Sequence, residues 1–98
     1  MKTVTINNAE FKVHYRLLEF NVNSIPSKGV SFFGSNPHSG SLFVQFANGG
    51  TYIYNNITPE VRKGMFDAPS LGVYVSKNIV GKFPSEKLDG KGVSPKIE

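Results

Sequence analysis

Cysteine is absent from the 98 residues. That excludes disulfides, cysteine-ligated zinc and thiol catalysis. It also fits a reducing compartment. No apolar run approaches the roughly 20 residues that a membrane helix needs. The opening stretch "MKTVTINNAE" carries no apolar signal core. The expectation is a cytoplasmic protein with no membrane partner. Charge is sparse: Asp, Glu, Lys and Arg make up 18% of the chain, too few for a disordered polyelectrolyte. Acidic residues are scattered, with no pair placed for acid–base work, and Ser70 and Ser76 have no base visible in the sequence. His14 and His38 stand singly, away from any acidic cluster, so no metal site is expected. Gly49 and Gly50 belong to a turn, not to a strand–loop–helix phosphate cradle. These gaps argue against an enzyme and against a cofactor.

Aromatic and basic residues are what the chain does have. It carries eight phenylalanines and four tyrosines, and 39% of it is hydrophobic. A domain of this size buries roughly two thirds of its unfolded surface. Large rings are an efficient way to offset the chain entropy lost on folding. The net charge is +4 and the pI is about 9.5. That balance favours anionic partners, although no run of consecutive lysines is present.

Periodicity organises the chain. Val4 and Ile6 mark a short strand. "EFKVHYRL" alternates strictly, with Phe11, Val13, Tyr15 and Leu17 on one face, and predicts a half-buried strand. The phase shifts at "LLEFNV", which predicts a bulge or bend near Leu17 and Leu18 before an apolar face of Leu18, Phe20 and Val22. "NSIPSKG" is a loop. "VSFFG" and "SLFVQFA" are strands; in the latter Leu42, Val44 and Phe46 oppose Ser41, Phe43 and Gln45. "NGG" at 48–50 is a hairpin turn, after which "TYIYNNI" returns with Tyr52 and Tyr54 on one face and Ile53 on the other. Thr58 caps a helix with Pro59 at its first position, and Val61, Met65 and Ala68 form a stripe that Phe66 widens. Pro69 stops that helix. Ser70 caps a second one, "SLGVYVSKNIVG", in which Leu71, Val75 and Ile79 share a face and Gly81 is the stop. "KFPSEKL" is extended, and "DGKGVSPKIE" reads as a flexible tail unless a neighbouring subunit holds it. Strands followed by helices predict an α+β fold: an antiparallel sheet of hairpins with two short helices on one face.

The stretch from about Asn23 to Leu88 resembles the KTSC domain, a module named from the C-terminus of some lysyl-tRNA synthetases. The shared features are a strand ending in Phe32 or Phe33, then "LFVQF", a glycine turn and the Tyr-x-Tyr of Tyr52 and Tyr54. A "TPE" helix start follows, then "SLGVY" at Ser70 to Tyr74, then Ile79, Gly81, Lys82, Phe83 and Pro84. The order and spacing of these pieces carry the resemblance, over roughly two thirds of the chain. It divides the chain into an N-terminal strand extension (1–23), the module (24–88) and a tail (89–98). Two features depart from the family pattern. The loop "GSNPHSG" is longer than usual, and Ile53 stands where a polar residue is often found between the tyrosines. The second change makes the outer sheet face greasier, so that something is expected to cover it. The resemblance implies RNA binding by association with tRNA enzymes, and it brings no catalytic residues. Stand-alone copies occur in bacteria and their phages, and small phage proteins of this size often act by binding, including by trapping the host's nucleotide immune signals.

Two readings of the tyrosines stand side by side. Their rings stack on bases, or they pack beneath the helices with Leu42, Val44 and Phe46. Arg62 and Lys63 follow the helix start, and Lys77, Lys82 and Lys87 come later. These cations either grip phosphates or form a solvated basic surface. The candidate ligand-binding set is Tyr52, Tyr54, Arg62, Lys63, Tyr74, Lys77, Lys82 and Phe83, for RNA or a small signalling nucleotide. The alternative is a protein–protein adaptor acting through Phe43, Ile53 and the N-terminal extension, unless residues 10 to 22 cover that face within the chain. A homo-oligomer and a protein partner both remain open.

Overall fold

Alternation and one tight turn decide the centre of the molecule. The computed structural model describes residues 2–6, 8–24 and 29–95. Within them, β4 (Leu42–Phe46) and β5 (Thr51–Tyr54) form an antiparallel hairpin, with Val44 opposite Tyr52 and Leu42 opposite Tyr54. The turn closes through Phe46 N–H to the Gly50 carbonyl and Gly49 N–H to the Phe46 carbonyl, both at 2.8 Å. Gly49 takes φ +96°, a conformation that costs glycine little. β3 (Val30–Ser35) flanks β4, and β6 (Ser85–Lys87) flanks β5, giving a four-stranded sheet in the order β3-β4-β5-β6.

The two helices form where caps and prolines place them. Thr58 Oγ accepts the Val61 N–H at 3.3 Å and opens α1 (Pro59–Asp67). Ser70 Oγ accepts the Val73 N–H at 3.5 Å and opens α2 (Leu71–Asn78). Met65, Leu71, Val75 and Ile79 pack from the helices onto Val30, Phe33, Leu42, Val44 and Tyr54. No helix among the described residues is long and apolar enough to cross a membrane.

The opposite face of the sheet is covered from within the chain. β1 (Lys2–Ile6), β2 (Ala9–Val13) and β7 (Val93–Pro95) form a second antiparallel sheet, in the order β1-β2-β7. Val13, Leu17, Phe20, Leu88 and Val93 bury Phe43 and Ile53. The fold is α+β, as the pattern of strands then helices predicts, with two antiparallel sheets in place of one. The greasy face created by Ile53 is thus an interior. Full burial of a ring such as Phe43 is worth about 1.5–3 kcal/mol.

Four expectations are corrected. The alternating strand does not run to Leu17: β2 ends at Val13, and His14 caps a 3-10 turn over Tyr15–Leu17 by accepting the Arg16 N–H at Nδ1, 3.0 Å. Leu17 still points inward while Tyr15 faces solvent, because a 3-10 turn breaks the two-residue period. The bend expected near Leu17 and Leu18 is this 3-10 turn, and "LLEFNV" beyond it is not a further strand. Instead its end runs along β3, through Asn21 N–H to Ser35 O and paired bonds between Asn23 and Phe33. A register shift does occur, but in β3, between Val30 and Phe32. The second helix stops at Asn78, before Ile79, and Gly81 (φ +76°) lies in the turn beyond it. The segment read as a flexible tail contains β7, which pairs with β2 of the same chain. Most of the "NSIPSKG" loop, residues 25–28, lies outside the described residues, as do 96–98.

Buried amide chemistry fixes β7. Gln45, 4% exposed, donates from Nε2 to the Val93 carbonyl at 3.0 Å and accepts the Val93 N–H at Oε1, 2.7 Å. Its side chain behaves like one more residue of backbone and joins the two sheets. The Thr51 hydroxyl accepts the Gly92 N–H at 3.0 Å beside it.

Candidate functional site

Register sets the site. Tyr52 lies opposite Lys87 and Tyr54 opposite Ser85, so these four side chains share the helix-facing side of the sheet. Ile53 and Glu86 point the other way, toward the second sheet. The helices pack mainly over β3 and β4, and the β5–β6 half of this face stays partly open. A crevice of about 530 Å³ results. Phe46, Tyr52 and Tyr54 supply its aromatic wall, and Asn48 and Gly50 of the hairpin turn close one end. Val80 and Gly81, after α2, and Ser85 and Lys87 on β6 complete it.

The rings are ordered against each other. Tyr52 and Tyr54 are stacked with centroids 6.3 Å apart, and Phe46 meets Tyr52 edge-on at 5.9 Å. Tyr54 is only 4% exposed and belongs to the core under the helices, whereas Tyr52 is half-buried. Neither hydroxyl has a hydrogen-bond partner among the described residues. No fully enclosed side-chain oxygen or nitrogen among them lacks a partner, so the Tyr54 hydroxyl is the part of that residue that reaches the crevice. Burial, and then the neighbouring Tyr52, push the Tyr54 phenol above its ordinary value. It stays protonated, and a hydrogen-bond donor, well past neutral pH.

Among the described residues the wall of the crevice carries one cation, Lys87, and no carboxylate. Lys91 reaches its edge: a Cβ on Gly49 would stand 3.2 Å from Lys91 Cε. The carboxylate of β6, Glu86, is turned to the far side, where Arg16 Nη2 donates to it at 2.9 Å. That bond, the charge of Arg16 and then Asn55 hold the Glu86 carboxyl below its ordinary range. Among the described residues no group of three His, Cys, Asp or Glu could hold a metal ion.

Of the residues singled out in the sequence, the structure brings Tyr52 and Tyr54 together in the crevice. Lys82 is exposed, next in the chain to the lining Gly81. Arg62 lies elsewhere, its guanidinium against Gly40 at the β3–β4 connection, where a Cβ would stand 3.5 Å from Nη1. Lys63 is exposed on α1. Tyr74 sits at the helix–helix contact, close over Gly64, and its hydroxyl donates to the Val61 carbonyl at 3.0 Å. Lys77 lines a hollow beside α2 that shares Phe46 with the crevice. Phe83 is partly buried against the helix-side core. Lys87, Ser85, Asn48 and Phe46 were outside the candidate set. Their signal was present in the alternation of "SEK", but it becomes readable only once that segment is paired with "TYIY".

Residues 26–83 match the family model described as the KTSC domain. Among solved structures, a KTSC domain protein from Yersinia pestis is 26% identical and aligns with a TM-score of 0.68, over 71% of this chain and 99% of that one. No curated protein matches the chain. The matched segment holds both tyrosines. β1, β2, the 3-10 turn, β6 with Lys87, and β7 lie outside it.

Proposed function

The chain belongs to the KTSC domain family, and from that premise we propose that it is a non-catalytic binding module for an anionic, nucleotide-type ligand held in the aromatic crevice. One observation carries the reading: among the described residues a half-open ring wall shares its surface with Lys87 and with no carboxylate. A planar base gains about 1–3 kcal/mol from stacking on such rings. A phosphate gains from an ammonium group in a partly desolvated cleft. The net charge of +4 draws anions to the surface. A stand-alone copy in a bacterium or phage would act in the cytoplasm by holding RNA or a signalling nucleotide away from other receptors.

The adaptor reading has less support. The apolar face it relied on, Phe43 and Ile53, is covered by the chain's own second sheet, so a protein partner would need another surface.

Native mass spectrometry of the protein purified from cells that produce it tests the proposal. The expected spectrum carries a retained nucleotide-type species that Tyr52→Ala and Lys87→Ala both lose, and chromatography recovers that species chemically intact. An empty protein that also ignores a panel of nucleotides and short RNAs would sink the proposal. Conversion of the ligand would sink its non-catalytic part.

A further inference from the structure

We infer that the crevice accepts a single nucleotide unit through one phosphate contact, and does not track a nucleic-acid strand; this rests on the binding function proposed above. A strand-binding groove needs cations in a row along the backbone path, with rings for successive bases. Among the described residues the cations nearest the rings gather round this one crevice, with Lys87 on its wall, Lys91 at its edge and Lys82 beside Gly81, and the others do not extend them into a row. Arg62 lies against Gly40 beyond the other end of the sheet face, Lys63 is exposed on α1, and Lys77 lines the hollow beside α2. Among the described residues Lys87 is the cation that lines the crevice wall, and the volume of about 530 Å³ matches one small ligand.

A second feature points to a ligand independently of charge. Tyr54 is 4% exposed, and its hydroxyl has no hydrogen-bond partner among the described residues where it reaches the crevice. The hydroxyl is open to the crevice and so is no buried orphan; it is a donor with no partner in the sheet, presented to any polar group bound there. The parts then divide by position. Tyr52, the more open ring, takes the base. Lys87, its cross-strand neighbour, takes the phosphate, and the Tyr54 hydroxyl donates to the ligand from the floor.

Isothermal calorimetry on the full chain tests this, with adenosine and uridine 5′-monophosphates, their nucleosides and a ten-nucleotide single-stranded RNA, at low and moderate salt. A monophosphate should bind at least about tenfold tighter than its nucleoside, with only a shallow dependence on salt, because a mononucleotide has no condensed counterions to release. Lys87→Ala and Tyr54→Phe should each weaken it about tenfold, and Lys63→Ala should leave it unchanged. Tenfold tighter binding of the ten-mer, with a slope of log affinity against log salt near −3 or steeper, overturns the single-unit inference and leaves the binding function standing. Unchanged affinity in Tyr54→Phe overturns the donor role. Failure of every nucleotide and of the RNA to bind overturns both proposals.

Discussion

Replacing Gln45 by methionine should detach the C-terminal strand. The two side chains are similar in length and volume, so packing against Phe43 and the second sheet is nearly kept. What disappears is a pair of buried hydrogen bonds, Nε2 to the Val93 carbonyl at 3.0 Å and Val93 N–H to Oε1 at 2.7 Å. Val93 is itself buried, at 1% exposure. Its orphaned N–H and C=O would each cost about 1–3 kcal/mol, so the loss should be about 2–6 kcal/mol. Small domains are stable by only about 5–15 kcal/mol in total. With a urea slope on the order of 1–2 kcal/mol per molar for this size, the unfolding midpoint should fall by roughly 2 M. Equilibrium urea unfolding followed by circular dichroism measures this directly. A chain ended at Lys91 supplies the control: its partner strand is gone, so Gln45→Met should be nearly neutral there. A midpoint shift below about 0.5 M in the full chain, or an equal loss in the shortened one, would refute the idea that these two bonds fasten the sheets together.

Other consequences follow from single contacts. Thr58→Ala removes the cap bond to the Val61 N–H and should cost about 1 kcal/mol in the same unfolding assay. Gly34→Ala should be far worse, because a Cβ there falls onto the Asn21 carbonyl; a soluble protein with wild-type melting temperature would contradict the crossing of residues 21–23 over β3. The Glu86 carboxyl is held low by Arg16, so its contribution is present above the unfolded carboxyl range and is lost as pH falls through its folded value. The stability advantage over Arg16→Met should therefore be full above the unfolded carboxyl range, fade as pH falls below it, and shrink in high salt because both groups are exposed. Tyr54 is shifted the other way: ultraviolet titration should show one phenol ionising later than the rest, and Tyr54→Phe should abolish that late step.

Several parts of the fold were legible because their causes are local. The "NGG" turn fixes β4 against β5 through backbone conformations that asparagine and glycine adopt cheaply. Period-two alternation then assigns Tyr52 and Tyr54 to one face and Ile53 to the other. Thr58 with Pro59, and Ser70 after Pro69, mark both helix starts through cap chemistry confined to four residues. The order of pieces from Phe33 to Pro84 was enough to place the chain beside the KTSC domain, a placement the family match over 26–83 supports.

Less legible were features settled by partners distant in sequence. Alternation through Leu17 looked like one strand, yet His14 and Gly92 meet there, His14 N–H donating to the Gly92 carbonyl at 2.7 Å, and the chain turns. The segment holding β7 is polar and glycine-rich by composition; its order comes from Gln45 and Thr51, more than 40 residues earlier. Arg62 and Lys63 sit close to the tyrosines in sequence and away from the crevice in space, whereas Lys87 is remote in sequence and directly across from Tyr52. The sequence by itself determined which segments become strands of the central hairpin, where the helices start, and that the net charge is positive. Only the tertiary structure decided which cation stands beside the rings and what covers the greasy face, because sheet pairing between distant segments is chosen by the whole packed core and leaves no short-range signature.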